Sequence, residues 1–87
     1  MSPSASTATY LDRIERARRR MVDAGIDVLL VSVGRDLPYL TGYEAMPLER
    51  LTMLVLPKDG DVTLVVPRME APRVVEQPGV FTLLAWN

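Results

Sequence analysis

The sequence predicts an α/β fold, a mixed sheet of about four strands with flanking helices, cut at its C-terminal end. Three observations carry this. An amphipathic run fills residues 9–24, four short β-prone runs follow it, and an Asp-Gly pair joins the middle two. Asp-Gly between apolar runs is the strongest short-range signal for a hairpin.

Ser2 to Ala8 are small and polar, and residues 1–9 read as a disordered tail. Thr9 with Asp12 three residues later resembles a capping box, opening a helix that Gly25 closes. At 100° per residue, Leu11, Ile14, Ala17, Met21 and Val22 share its apolar face. Asp27 to Val33, DVLLVSV, is too short for an independent helix and reads as a strand covered on both faces. Leu51 to Pro57 and Val62 to Pro67 are the hairpin strands, joined by Lys58-Asp59-Gly60-Asp61. Met69 to Gln77 is expected as a short helix that tolerates Pro72 in its first turn. Val80 to Trp86 is the fourth strand, and a complete small domain seldom stops on such a strand, because an unpaired edge invites aggregation.

Composition limits the chemistry. The chain has 87 residues, 48% of them hydrophobic, and a formal net charge of −1. That is the profile of one globular domain, without a global charge for nucleic acid or an anionic membrane. No apolar run approaches the roughly 18 residues of a membrane span, and the N-terminus lacks the regions of a secretory signal. A cytoplasmic protein is expected. With no cysteine and no histidine, thiol nucleophiles, zinc-thiolate sites and the commonest general base are absent. The glycines match neither a dinucleotide fingerprint nor a phosphate loop. Lys58-Asp59-Gly60-Asp61 lacks the carboxylate spacing of a calcium loop. Glu44 and Glu49 flank one loop, but nothing in the sequence sets the separation that paired-carboxylate hydrolysis needs. The 87-residue chain alone is expected to be inactive.

Arg13 to Arg20, RIERARRR, resembles a nucleic-acid patch. Helical spacing instead pairs Asp12 with Arg16, Glu15 with Arg19 and Asp23 with Arg19, leaving only +2 on a solvated face. Arg18 projects into the apolar face, where it either snorkels or marks a partner contact.

Residues 34–51, GRDLPYLTGYEAMPLERL, break the pattern. They leave the C-terminal end of the first strand, where open α/β sheets place binding crevices. Leu37 and Leu40 are expected to turn inward, while Tyr39 and Tyr43 present polar tips. Gly42 is expected in a backbone geometry that other residues resist.

Gly25-Ile26-Asp27, Val28 to Val31, then Pro38-Tyr39-Leu40-Thr41-Gly42-Tyr43, and later Val66-Pro67-Arg68-Met69-Glu70, come in the order and spacing of a known domain. Over roughly residues 10–86 the sequence resembles the N-terminal, ribonuclease-H-like domain of the creatinase and Xaa-Pro aminopeptidase/prolidase ("pita-bread") metallopeptidases. The resemblance implies a parent hydrolase whose separate catalytic domain binds two divalent ions, Mn, Co or Zn, through Asp, His and Glu side chains. It implies a proline-containing peptide substrate and a homo-oligomer, such as a dimer. Residues 10–87 would be an incomplete, non-catalytic domain that frames the substrate mouth and a subunit contact. No metal ligand and no catalytic residue carry over. Arg50, eight residues after Gly42, best matches a substrate-reaching arginine of the creatinase branch. Arg50, Tyr43 and Glu49 are therefore the substrate-mouth candidates, unless Arg50 simply pairs with Glu44 or Glu49. A creatine amidinohydrolase fits less well, because residues 43–50 lack the aromatic density a guanidinium-like substrate favours. The alternative is a self-standing protein-binding or assembly module of the same fold, using its final strand edge and Arg18.

Overall fold

The computed structural model describes residues 6–44 and 51–86. A long helix, α1 (Thr7–Ala24), leads into strand β1 (Val28–Val31) and a short helix, α2 (Asp36–Thr41). Strands β2 (Met53–Pro57) and β3 (Thr63–Pro67), a 3₁₀ helix (Arg68–Arg73) and strand β4 (Thr82–Trp86) follow. The sheet order is β1-β2-β3-β4, antiparallel except for the parallel β3–β4 pair. The expected mixed sheet of four strands with flanking helices is the fold observed.

Helix α1 starts earlier than expected. Ser6, not Thr9, is the N-cap, and its hydroxyl accepts from the Thr9 amide at 3.2 Å. The Thr9 side chain lies 3.1 Å from the Ser6 hydroxyl, so the polar pair at the helix start sits one turn upstream of Thr9–Asp12. Gly25 ends the helix in the left-handed region, and its neighbour Ile26 donates back to the Met21 carbonyl at 2.8 Å. The buried stripe is Tyr10, Ile14 and Met21, with Ala17 packed against it. Leu11 and Val22 fall at its flanks and are exposed. The stripe's i, i+4, i+7 spacing places the aromatic Tyr10 inside, a position the purely aliphatic reading passed over.

Alternation along β2 and β3 points Leu54, Leu56, Leu64 and Val66 to this core. Their full burial is worth roughly 1.5–3 kcal/mol each. The opposite face is open among the described residues. Leu30 is 58% exposed and Val28 and Leu84 are also exposed, so β1 is not covered on both faces as expected. The reason is geometric: the core that α1 and α2 share with the sheet collects on one face, leaving Leu30, its neighbour Val55 and the Val65–Leu84 pair on the other.

The hairpin is tied down by polar contacts. Arg18 donates from Nε to the Pro57 carbonyl at 3.0 Å and from Nη2 to the Gly60 carbonyl. Its stem thus runs along the sheet while its head fastens the turn. Lys58 pairs with Asp27 at 3.0 Å, and its amide donates to the Asp27 carbonyl at 2.9 Å. The expected helix over 69–77 is shorter and tighter, a 3₁₀ segment ending at Arg73, since Pro72 supplies no amide hydrogen to continue an α-helical ladder. The chain then turns through Gln77, whose side-chain oxygen accepts from Thr7 at 2.7 Å.

Candidate functional site

The stretch between β1 and β2 contains a helix that its sequence did not announce. Leu37 and Leu40 are buried, as expected, and hold α2 against α1. Thr41 ends this helix by two bonds: its hydroxyl donates to the Leu37 carbonyl at 2.7 Å and accepts from the Tyr43 amide at 3.1 Å. Gly42 lies between them at φ +79°. A β-carbon there would stand 2.7 Å from the Tyr10 hydroxyl oxygen, so the position is closed to side chains on two counts. Tyr10, from the first turns of α1, thus packs directly against the C-terminal end of α2.

Immediately afterwards Tyr43 turns inward. It is 5% exposed, and its hydroxyl donates to Glu70 Oε1 at 3.0 Å. Glu70, itself 8% exposed, also meets Arg73 Nη1 at 3.5 Å. Burial raises the Tyr43 pKa, the hydrogen bond and negative charge of Glu70 raise it further, and Arg73 opposes them. The polar tip expected at the surface therefore sits in a buried phenol–carboxylate pair, with the exposed Arg73 guanidinium at its rim. At the far side, Trp86 Nε1 donates to the Leu51 carbonyl at 2.9 Å and Thr52 is buried. Glu49 and Arg50 lie outside the described residues. Tyr43 and Leu51, one on each side of residues 45–50, are both anchored to the sequence after β3.

Tyr39 behaves differently. It is 46% exposed, and the Arg13 guanidinium carbon lies 4.2 Å from its ring centre. Arg13 Nη1 also donates to the Tyr39 carbonyl at 2.9 Å. Between the end of β1 and α2 opens a crevice of about 390 Å³, lined in part by Ser32, Gly34, Arg35, Asp36 and Tyr39. This is the strand-end location at which α/β sheets form binding crevices.

Sequence reasoning passed over Glu70, Trp86 and Arg13. The partners Tyr43–Glu70, Trp86–Leu51 and Arg13–Tyr39 are 27, 35 and 26 residues apart, so no local spacing reveals them. Only the i, i+3 relation of Glu70 and Arg73 was visible in the sequence.

Among the described residues no group of three or more His, Cys, Asp or Glu side chains could hold a metal ion. The dinuclear site implied by the resemblance belongs to a separate catalytic domain, and the described residues offer no group that fits it. Among the described residues, no helix is long and apolar enough to cross a membrane.

An open-faced mixed sheet, one long helix packed on it and an excursion after β1 that begins with a short helix define a small α/β domain. Residues 13–87 match the Creatinase/Prolidase N-terminal domain, and the chain belongs to that family. It is 44% identical over 61 residues to "Probable dipeptidase PepE" of Mycobacterium tuberculosis, a match covering 70% of this chain and 16% of that protein. The crystal structure of dipeptidase PepE from Mycobacterium ulcerans superposes with a TM-score of 0.83 at 34% identity, covering 97% of this chain and 24% of that one. A recombinant prolidase from Thermococcus sibiricus gives 0.76 at 31% identity, over 88% and 21%. The fold also matches the Creatinase/Prolidase N-terminal domain of an X-Pro dipeptidase from Streptococcus pyogenes, with a TM-score of 0.76, covering 86% of this chain and 60% of that one. The chain thus spans about a sixth to a quarter of the first three relatives.

Proposed function

We propose that this chain acts as the non-catalytic N-terminal domain of an Xaa-Pro dipeptidase or aminopeptidase, framing the substrate mouth and a subunit contact. The observation that carries this is the 97% coverage of the chain by one quarter of a dipeptidase at a TM-score of 0.83. The reaction belongs to a separate catalytic domain that holds two divalent ions, Mn, Co or Zn, for which this chain supplies no ligand. Its partners are that domain, a second subunit and a proline-containing peptide, in the cytoplasm.

Within this reading, Arg50 and Glu49 are the side chains that reach the substrate. The hydroxyl of Tyr43 is committed to Glu70, which anchors the chain ahead of those two residues. Tyr43 is then a positioning residue and not a contact. The open sheet face around Leu30 and Leu84 favours contact with further polypeptide, which a self-standing assembly module would also use.

A chimera tests the reading. The segment of Mycobacterium ulcerans PepE that superposes on this chain is replaced by residues 6–86, and hydrolysis of an Xaa-Pro dipeptide is measured. Activity near that of the intact enzyme is expected, with KM raised in Arg50→Ala. An inactive but folded chimera overturns the domain assignment. A KM unchanged within error in Arg50→Ala removes Arg50 from the substrate mouth.

A further inference from the structure

The arginines of α1 do not neutralise themselves as their spacing suggests. Of the expected pairs only Asp12–Arg16 forms, at 3.1 Å, and it is exposed. Glu15 turns instead toward Arg18, at 3.8 Å, because Arg18 is drawn across to the hairpin carbonyls. Among the described residues, Arg13, Arg19 and Arg20 have no carboxylate within ion-pair distance.

These side chains converge. Arg13, Arg16, Ala17, Arg19, Arg20 and Tyr39 line a groove of about 440 Å³, with four guanidinium groups and no carboxylate in its wall. Ala17 supplies a shallow floor. Arg13 is held in advance by the Tyr39 ring on one side, by its bond to the Tyr39 carbonyl, and by Tyr10 5.6 Å away. A stacked, hydrogen-bonded guanidinium loses little freedom on binding, and its remaining N–H groups suit the planar fork of a carboxylate.

We infer that this groove is a docking site for an acidic polypeptide segment. Spacing selects that partner. Arg13 to Arg20 spans seven residues, or about 10 Å along the helix axis, too far for one phosphate but matched by carboxylates three residues apart on a polyproline-II chain, which share one face at about 3.1 Å per residue. Nucleic acid fits less well, because the Tyr39 face that would stack a base is taken by Arg13. The charge outside α1 also opposes it. Residues 12–23 hold five arginines and three acids, leaving five cations against eight acids elsewhere.

The test titrates the 87-residue chain with N-acetylated, C-amidated hexaglutamate, following backbone amide resonances. Shifts confined to residues 13–20 and 39 are expected, weakening as salt is added. Affinity falls about fivefold in the Arg19→Gln/Arg20→Gln variant, two exposed ion pairs' worth, and is unchanged in Arg68→Gln, an exposed arginine elsewhere. Both variants alter exposed side chains, so the fold is retained. Absence of binding at millimolar peptide, equal binding of hexaglutamine, or indifference to Arg19→Gln/Arg20→Gln overturns the inference. Tighter binding of single-stranded hexathymidylate reassigns the groove to nucleic acid, and equal binding of inorganic pyrophosphate reduces it to a small-anion site; either result also overturns it.

Discussion

Tyr43 donates its hydroxyl hydrogen to Glu70 across 3.0 Å, and both side chains are buried. Ionising the phenol would set a second negative charge against the carboxylate in a poorly solvated place, so the folded chain holds that proton above the ordinary tyrosine range. A group whose pKa is raised by folding adds stability that is complete below its unfolded value, about 10 for tyrosine. That stability is lost as pH rises through the folded value. Tyr43→Phe is expected to cost about 1–3 kcal/mol at pH 8, and the gap between wild type and variant should narrow toward pH 11. Urea midpoints for both proteins measure it, since contributions common to the two cancel in the difference. A gap that stays constant from pH 8 to 11 removes Tyr43 from Glu70.

Gly42 answers to two constraints that a single substitution separates. Its φ of +79° disfavours any side chain, and Tyr10 blocks the space one would need. Gly42→Ala is expected to cost about 2–4 kcal/mol, of which the backbone accounts for roughly 1–2. Adding Tyr10→Phe removes the nearest contact, at 2.7 Å, but leaves the ring carbon at 2.9 Å. The double variant should therefore recover part of the loss. Strict additivity in thermal unfolding would show that Tyr10 does not police this position.

Arg18 joins helix to hairpin through two carbonyls that no other described side chain reaches. Arg18→Lys keeps charge and stem but lacks the fork, and should lose about 1–2 kcal/mol. Amide exchange should accelerate at Lys58, whose hydrogen bond to Asp27 depends on the turn staying docked. Exchange at Lys58 equal to wild type would mean that the hairpin holds itself.

What the sequence made legible follows the range of the forces involved. The hairpin over Lys58 to Asp61, the left-handed Gly25 and Gly42, and the inward Leu37 and Leu40 rest on local backbone or periodicity, and all stand in the structure. The start of α1 was misplaced by three residues because Ser6 and Thr9 both look like caps, and only packing chooses between them. The arginine pairs were misassigned because Arg18 has a tertiary use that redirects Glu15. The site fared worst. Its polar links cross 26 to 35 residues, so Tyr43 could be named from sequence while its burial on Glu70 could not.

Trp86 supplies the last of these links, and its ring and its N–H can be tested apart. Trp86→Phe keeps an aromatic ring at the end of β4 but removes the donor that meets the Leu51 carbonyl at 2.9 Å. The bond is exposed, so water replaces it in part and the loss should be small, about 0.5–1 kcal/mol. The local effect should be larger than the global one. Leu51 leads directly into buried Thr52 and then β2, so freeing its carbonyl loosens the entry to that strand. Hydrogen exchange at Thr52 and Met53 is expected to rise severalfold in Trp86→Phe while exchange at Leu64 and Val66, in the centre of the sheet, stays at the wild-type rate. If Leu64 and Val66 accelerate to the same degree, Trp86 stabilises the sheet as a whole. If no amide changes, the N–H bond holds nothing, and the segment before β2 is anchored by Thr52 alone.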